Sequence, residues 1–265
     1  MRDIIQCVQN DNKNVNVKDT ILAIKKAGFD GVFIQWYNKA WDFTQQEQLD
    51  MCRSLGLKIP FVHLGYKGIN NLWLDNIDGR NLMTSYKNDL KICSQNNIDM
   101  VVMHLTSKNV APEPNVIGLN RLKELAEYGK ELNIKIAFEN TKIFGYLEYV
   151  IDNLKTDNVG ICLDTGHCHC HFDDRFSWPK FKNKIFAVHF HDNDKSDDLH
   201  LLPFDGDINW KEYVKNLKDA KYKNDVTLES CYRYDYLNIS LEDFYKESYI
   251  RGLKIREMFN ENWLK

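Results

Sequence analysis

Hydrophobic and polar positions along the chain form two kinds of segment that alternate. Short continuous apolar runs are typical of strands covered on both faces, and the longer amphipathic runs between them have helical periodicity. The first pair consists of the strand Ile4–Val8 and the helix Val17–Ala27, in which Ile21 and Ile24 belong to one apolar stripe. Gly28 follows directly, as expected for a residue that ends a helix.

The same unit recurs along the rest of the chain. The predicted strands are Ile4–Val8, Gly31–Trp36, Lys58–His63, Met100–His104, Ile134–Glu139, Val159–Asp164, Ile185–His191 and Val226–Glu229. The predicted helices are Val17–Ala27, Phe43–Ser54, Leu82–Gln95, Leu119–Leu132, Gly145–Leu154, Trp210–Ala220 and Leu241–Met258. Because the strands are continuous rather than alternating apolar runs, we expect a parallel sheet covered by helices.

Eight such strand units in 265 residues match the size and element order of an α/β fold of the (β/α)₈ TIM-barrel class. We therefore predict a single TIM-barrel domain over residues 1–265. A doubly wound open sheet is the alternative fold. It normally has fewer strands, and no GxGxxG motif follows the first strand here.

The composition of the chain argues against several functional classes. The chain is 43% hydrophobic and 28% charged, with a formal net charge of −3, whereas a dedicated nucleic-acid binder usually has a basic surplus. Seven cysteines without a CxxC pair suit a reducing compartment. The N-terminal apolar run is too short for a signal peptide, and no apolar stretch approaches the ~20 residues of a membrane span. We expect a cytoplasmic protein without a membrane partner.

Six consecutive predicted strands end on an imidazole or a carboxylate. In a TIM barrel these positions meet at the rim where active sites lie. Carboxylate and imidazole ligands suit Zn²⁺, Mn²⁺, Fe²⁺ or Co²⁺, and no thiol ends a strand, so we predict an open catalytic metal site. The six residues are His63, His104, Glu139, Asp164, His189 and Glu229.

Each of these residues taken alone has an ordinary structural explanation. A histidine after an apolar run is usually a hydrogen-bonded core residue, and a glutamate such as Glu229 can cap a helix. These explanations do not suffice for six strands that end in this way, because burying several acids and imidazoles without a counter-ion costs free energy. The shared position therefore favours the metal site.

Other candidates lie in loops. Asp198 and His200 are two residues apart in a segment with the turn residues Pro203, Asp205 and Gly206, so both side chains could reach one ion. Trp36 ends the second strand and is either an apolar wall for a sugar ring or simple rim packing. Four basic residues follow strand ends and are weaker candidates for holding a phosphate or hydroxyl groups; they are Lys108, Arg175, Lys195 and Arg233.

Three motifs give the chain a resemblance to a known family. They are Leu163-Asp-Thr-Gly-His167, His189-Phe-His-Asp192, and Asp198-Leu-His200 followed by Leu-Pro-Phe-Asp-Gly-Asp-Ile-Asn-Trp. With them, nearly the whole chain resembles the xylose-isomerase-like barrel superfamily, which includes sugar (phosphate) isomerases and epimerases and the apurinic endonuclease IV group. Isomerase and epimerase relatives typically have glycine where Phe204 or Asp205 stands, a departure in the loop that touches no ligand.

The resemblance implies a ligand set. In the epimerase branch one metal would be held by Glu139, Asp164, His189 and Glu229, where His189 is chosen over His191 because Asp192 completes a His-x-x-acid pattern. In the endonuclease IV branch His63 and His104 would join Glu139 at a second metal. A third would be held by His167, Asp198 and His200. All nine positions of that pattern are filled, so one to three divalent ions are expected.

Two functions follow from the resemblance. The first is a metal-dependent sugar or sugar-phosphate isomerase or epimerase, in which Glu139 and Glu229 exchange a proton next to a carbonyl. The alternative is a metal-dependent phosphodiester hydrolase acting on abasic DNA. We favour the first because the loops after the strands are short and residues 192–207 are acidic. The expected partner is a small-molecule sugar or sugar phosphate rather than nucleic acid, and a homo-oligomer is left open.

Overall fold

Eight parallel strands form the centre of the molecule in a computed structural model that describes residues 1–8, 15–36, 43–172 and 175–261. From β1 to β7, each strand pairs with its neighbours in sequence, and β1 also pairs with β8. The strands are β1 Ile4–Val8, β2 Gly31–Trp36, β3 Val62–Leu64, β4 Met100–Met103, β5 Lys135–Glu139, β6 Val159–Asp164, β7 Ile185–His189 and β8 Val226–Leu228.

The remaining gap, between β7 and β8, is bridged by Phe190. Its backbone N–H donates to the carbonyl oxygen of Thr227 at 2.9 Å, and its own carbonyl oxygen accepts from the N–H of Glu229 at 3.0 Å. These bonds nearly close the sheet on itself, so the predicted TIM-barrel fold is confirmed. Closure matters for the site because it brings the carboxyl ends of all eight strands to one rim.

Helices lie between the strands on the outside of the barrel. They are α1 Val17–Ala27, α2 Gln45–Ser54, α3 Ile77–Gln95, α4 Val116–Glu131, α5 Tyr146–Asn153, α7 Trp210–Asp219 and α8 Leu241–Asn260. The short helical turn α6 Thr165–His167 instead follows β6 at the carboxyl ends of the strands and is buried. Short 3₁₀ turns occur at Ile69–Trp73 and Tyr234–Tyr236, and a π-helical turn at Cys168–Phe172 continues α6. Within the described ranges none of the helices combines the length and the apolarity that a membrane span requires.

Side-chain caps move several helix starts away from the predicted ones. The α3 helix begins at Ile77 rather than Leu82, because the side chain of Asn76 accepts from the N–H of Gly79. The α4 helix likewise begins three residues early, after the cap Asn115. The α2 helix begins later than predicted, at Gln45 instead of Phe43, because Thr44 and Glu47 form a capping box at its start.

Two cores flank the strands. One fills the barrel itself, and the other lies between the strands and the helices. Alternate strand residues face opposite ways, so most strands supply residues to both cores. The inner core is small and apolar and comprises Ile5, Cys7, Phe33, Phe61, Val102, Ala137, Cys162 and Ala187.

Candidate metal centre and cavity

Glu139 lies at the centre of the predicted site, where several histidine side chains contact it. It ends β5 and is almost fully buried. Its Oε2 atom lies 2.9 Å from Nε2 of His63 and 3.4 Å from Nε2 of His104. Its Oε1 atom lies 3.2 Å from Nδ1 of His167. One carboxylate is thus surrounded by imidazoles from the ends of β3 and β4 and from the turn after β6.

His189 lies beneath the carboxylates, with its ring on the apolar floor of the barrel. The ring stacks on Phe33 at a centroid distance of 5.0 Å. Its Nδ1 atom lies 3.1 Å from Glu229, 3.4 Å from Glu139 and 3.7 Å from Asp164. Three carboxylates from three strands therefore direct one oxygen each at the same buried nitrogen.

A second imidazole, that of His191 two residues after β7, contacts Asp164 from the side. Its Nε2 atom lies 2.9 and 3.0 Å from the two carboxylate oxygens of Asp164. Space for this ring depends on Gly166, because a Cβ atom there would lie only 2.0 Å from Cε1 of His191. The sequence prediction set His191 aside in favour of His189, whereas the structure brings both into the cluster, as expected for residues two apart on one strand face.

Asp198 and His200 reach the cluster from the loop after β7. The Oδ2 atom of Asp198 lies 3.1 Å from Nε2 of His167 and 3.3 Å from Nε2 of His200. The His200 ring stacks on His191 at 4.0 Å, and its Nδ1 atom is 3.0 Å from the carbonyl oxygen of Glu229. The loop pair predicted from the sequence is therefore placed beside the strand-end residues.

Opposite charges determine the ionisation of the cluster. Burial alone would raise the pKa of Glu139, but its electrostatic interactions with His104 and His189 and its hydrogen bond with His104 hold it well below its usual range. Histidine neighbours also outweigh burial at Asp164, Asp198 and Glu229, whose pKa values are lowered. Burial would lower the pKa values of His167 and His200, yet nearby carboxylates raise both well above normal.

The donor chemistry fits a divalent cation. In the part of the chain that the structure describes, four groups of three residues, among them His63–Glu139–His189 and Asp164–His191–Glu229, have ligand atoms that all lie within 4.8 Å of one another. Both ring nitrogens of His189, Nδ1 of His191 and Oδ1 of Asp198 are buried without a hydrogen-bond partner among the described residues. Buried polar atoms of this kind need a ligand or a proton to offset the cost of desolvation.

A cavity of about 480 Å³ opens above the cluster. Its wall includes Lys108 and Arg233, as predicted, and the guanidinium of Arg233 donates to the carbonyl oxygen of Asp198 at 3.0 Å. Other wall residues were missed by the sequence analysis, since no strand-end pattern marks them; among them are Gln35, Tyr66 and Lys142.

Three predicted substrate contacts are corrected by the structure. Trp36 is 3% exposed and packs between the strands and helices, because alternation along β2 directs Gln35 rather than Trp36 into the cavity. Lys195 is exposed outside the cavity wall, where the side chain of Asn193 accepts from its N–H and the chain turns with φ 67°. Arg175 also lies outside the wall, and it donates to the carbonyl oxygen of Phe172.

Comparison with known proteins gives a consistent assignment. Residues 21–251 match the family model of the xylose isomerase-like TIM barrel. Inosose isomerase from Halalkalibacterium halodurans is 24% identical over 255 residues, which cover 88% of this chain and 89% of that protein.

Two shorter matches span less than half of the relative's own length. The uncharacterized protein y4fM from Sinorhizobium fredii is 28% identical, over 48% of this chain and 43% of that protein. A probable endonuclease 4 from Mycoplasma capricolum is 31% identical, over 40% of this chain and 43% of that protein.

Solved structures share the fold at lower identity. The IOLI protein with a binding zinc atom has a TM-score of 0.79 at 17% identity, covering 97% of this chain and 99% of that one. The D-psicose 3-epimerase from Clostridium cellulolyticum H10, solved with D-tagatose, has a TM-score of 0.75 at 18% identity, covering 98% and 99%.

Proposed function

The chain belongs to the xylose isomerase-like TIM barrel family, and from that premise we propose that it is a metal-dependent sugar isomerase or epimerase. The observation that carries the proposal is the placement of two glutamates from strands three apart around the barrel. Glu139 and Glu229 both line the cavity, and both direct an oxygen at Nδ1 of His189, at 3.4 and 3.1 Å. A substrate above this nitrogen has a carboxylate on either side.

A divalent ion would be held by Glu139, Asp164, His189 and Glu229. The arrangement of three carboxylates around one buried nitrogen supports this assignment. Such an ion supplies positive charge that stabilises negative charge developing on a substrate oxygen. Further ions would be held by His63 and His104 with Glu139, and by His167, Asp198 and His200. Zn²⁺, Mn²⁺, Co²⁺ and Fe²⁺ all suit these ligands.

Proton transfer is the part of the reaction that the chain's own side chains perform. Glu229 is oriented by Gln35, whose Nε2 donates to Oε1 of Glu229 at 3.0 Å. We assign Glu229 to accept the proton from the carbon next to the substrate carbonyl, and Glu139, which has to carry a proton when the substrate is bound, to return that proton from the other side. Return to the same carbon from the opposite face gives an epimer. Return to the former carbonyl carbon gives an isomer, provided that the neighbouring hydroxyl also passes its proton to the former carbonyl oxygen.

The comparisons support a sugar as the substrate. Inosose isomerase aligns over 88% of the chain, and the D-psicose 3-epimerase shares the fold. The cavity of about 480 Å³ lies within the range of roughly 300–1,000 Å³ that is usual for small-molecule sites.

Metal analysis followed by a sugar panel tests the proposal. We expect at least one divalent ion per chain, and conversion of an aldose or ketose that stops when a chelator removes the ion and resumes when it is restored. Full activity in excess chelator, with no metal detected in the protein, would show that the proposed metal dependence is wrong.

A second candidate is an endonuclease 4-like phosphodiester hydrolase. It is favoured by the additional ligand groups, which bring His63, His104, His167, Asp198 and His200 to the same cavity. The net charge of −3 opposes tight DNA binding. We therefore expect no useful cleavage of an abasic-site oligonucleotide. If the wild type cleaves this oligonucleotide and Glu229→Gln does not, the hydrolase function would be favoured over the isomerase or epimerase function.

A further inference from the structure

Two lysines share one side of the cavity wall. Lys108 follows β4 and Lys142 follows β5, and both line the cavity above the metal cluster. The strands β4 and β5 are neighbours in the sheet. Arg233 follows β8, which is half a barrel away from β4 in strand order. The two ammonium groups are therefore the positive charges of one wall, and the guanidinium belongs to the opposite wall.

Hydrogen bonds hold the two lysine-bearing loops together. The hydroxyl groups of Thr106 and Thr141, both buried, lie 2.7 Å apart. Each threonine precedes its lysine by one or two residues, so this bond fixes where the two lysines leave the barrel.

A clamp from Asn70 fixes the residue before Lys108. The side chain of Asn70 accepts from the N–H of Ser107 at 2.9 Å and donates to its carbonyl oxygen at 3.0 Å. Lys108 itself has φ 65°, a left-handed conformation that is uncommon for a side chain of this size. Backbone strain of this kind persists where surrounding structure enforces it, often at ligand sites.

The ammonium groups of Lys108 and Lys142 have no carboxylate partner within the described part of the chain. Neither Lys108 nor Lys142 forms an ion pair among the residues that the structure describes. The carboxylates on the floor of the cavity are occupied by imidazoles, as Glu139 is by His63 and Asp198 is by His167. Asp197 also lines the cavity, but it lies in the loop after β7, and no ion pair joins it to either lysine among the described residues. The side of the wall formed by the loops after β4 and β5 therefore presents positive charge to whatever enters the cavity.

We propose that Lys108 and Lys142 bind the phosphate group of a sugar phosphate whose reacting carbons lie over the metal cluster. A phosphate monoester carries nearly two negative charges at neutral pH, which match two ammonium groups, and lysine binds phosphate as a point charge. The inference rests on the proposed function, because it specifies the class of sugar. It also distinguishes this chain from an enzyme that acts on neutral sugars, because a neutral sugar has no negative charge to pair with the two ammonium groups.

Equilibrium binding of D-ribulose 5-phosphate and of D-ribulose to the metal-loaded protein tests this inference. We expect the phosphate ester to bind about tenfold more tightly or better. The double variant Lys108→Met/Lys142→Met should lose that preference while its affinity for D-ribulose and its metal content stay unchanged. Lys123→Met, which removes an exposed lysine of α4 outside the cavity, is the matched control and should behave as wild type.

Three outcomes would overturn the inference. They are equal affinity of the wild type for both ligands, absence of measurable binding of the ester, and a double variant that keeps its preference. The last result would assign the phosphate to the metal ions instead. Failure of the proposed function is a separate result, since the preference for the ester can hold in a protein that converts no sugar.

Discussion

At the scale of single residues, the site is organised by carboxylates that each serve several imidazoles. Glu139 lies within 3.4 Å of His63, His104, His167 and His189. A carboxylate has about four lone-pair directions, so it can contact several donors and still reach a cation. Removing charge from one carboxylate should therefore affect catalysis far more than folding, because its neighbours remain in place.

Glu229→Gln tests the proton-transfer role. The amide keeps an oxygen that can coordinate a metal, so we expect the fold and part of the metal content to be retained. It cannot accept a proton, and activity on the converted sugar should fall by about 10²–10⁴-fold. Glu127→Gln, an exposed change on α4, is the control and should retain full activity. Retention of most activity by Glu229→Gln would remove the residue from the mechanism.

Asp89 gives a prediction about stability away from the site. Burial raises its pKa from 3.8 to about 6, so the folded state binds this proton more tightly than the unfolded state. The charged carboxylate then destabilises the fold above pH 6, and the effect vanishes below the unfolded pKa.

Asp89→Asn should accordingly raise the free energy of unfolding at pH 8, by on the order of 1–3 kcal/mol. At pH 3.5 the same change should have little effect. Urea unfolding of variant and wild type at both pH values measures this difference, and Asp207→Asn provides an exposed control. A variant that is less stable than wild type at pH 8 would contradict the assigned sign.

At the scale of elements, one buried aspartate organises the loop that carries Asp198 and His200. Asp192 is fully buried three residues after the end of β7. Its Oδ1 atom accepts from the N–H groups of Asn193 and Ile208, and its Oδ2 atom accepts from the N–H of Phe204 and the indole of Trp210. Four donors bind this one carboxylate, so the conformation of the loop depends on the negative charge of Asp192 and on both of its carboxylate oxygens.

Asp192→Asn should loosen this loop, because an amide nitrogen would face hydrogen-bond donors that now meet an oxygen. We expect a loss of about 2 kcal/mol or more in unfolding free energy. Metal content should decrease at the site that includes Asp198, and proteolysis within residues 193–209 should accelerate. Asp194→Asn, an exposed change in the same loop, is the control. Unchanged metal content and protease resistance would show that Asp192 is not the organising residue.

Element boundaries show what periodicity can and cannot predict. The strands β1, β2 and β6 match the predicted bounds, because their apolar runs are continuous. Helix starts at Ile77 and Val116 were missed, since single asparagine caps set them outside the apolar stripe. The turn formed by α6 and Cys168–Phe172 was also missed, because it depends on Asp164 accepting from the N–H of His167.

At the scale of the whole molecule, barrel topology explains why strand ends predicted the site. Parallel strands in a closed sheet must bring their carboxyl ends to one rim, so residues far apart in sequence meet there. Side-chain direction at the rim required the structure, as Trp36 and Gln35 show by facing opposite sides of β2. The extent of the domain, a homo-oligomeric state and cytoplasmic location stay predictions.

Solvent isotope labelling tests the central claim most directly. The metal-loaded enzyme is allowed to convert its sugar in deuterated water, and the product is analysed by NMR. Proton exchange through Glu139 and Glu229 predicts deuterium on the carbon next to the carbonyl, with neither turnover nor label once the metal is removed. Turnover that leaves this carbon unlabelled would contradict the proton-transfer mechanism, and turnover that continues unchanged without metal would contradict the role of the metal centre.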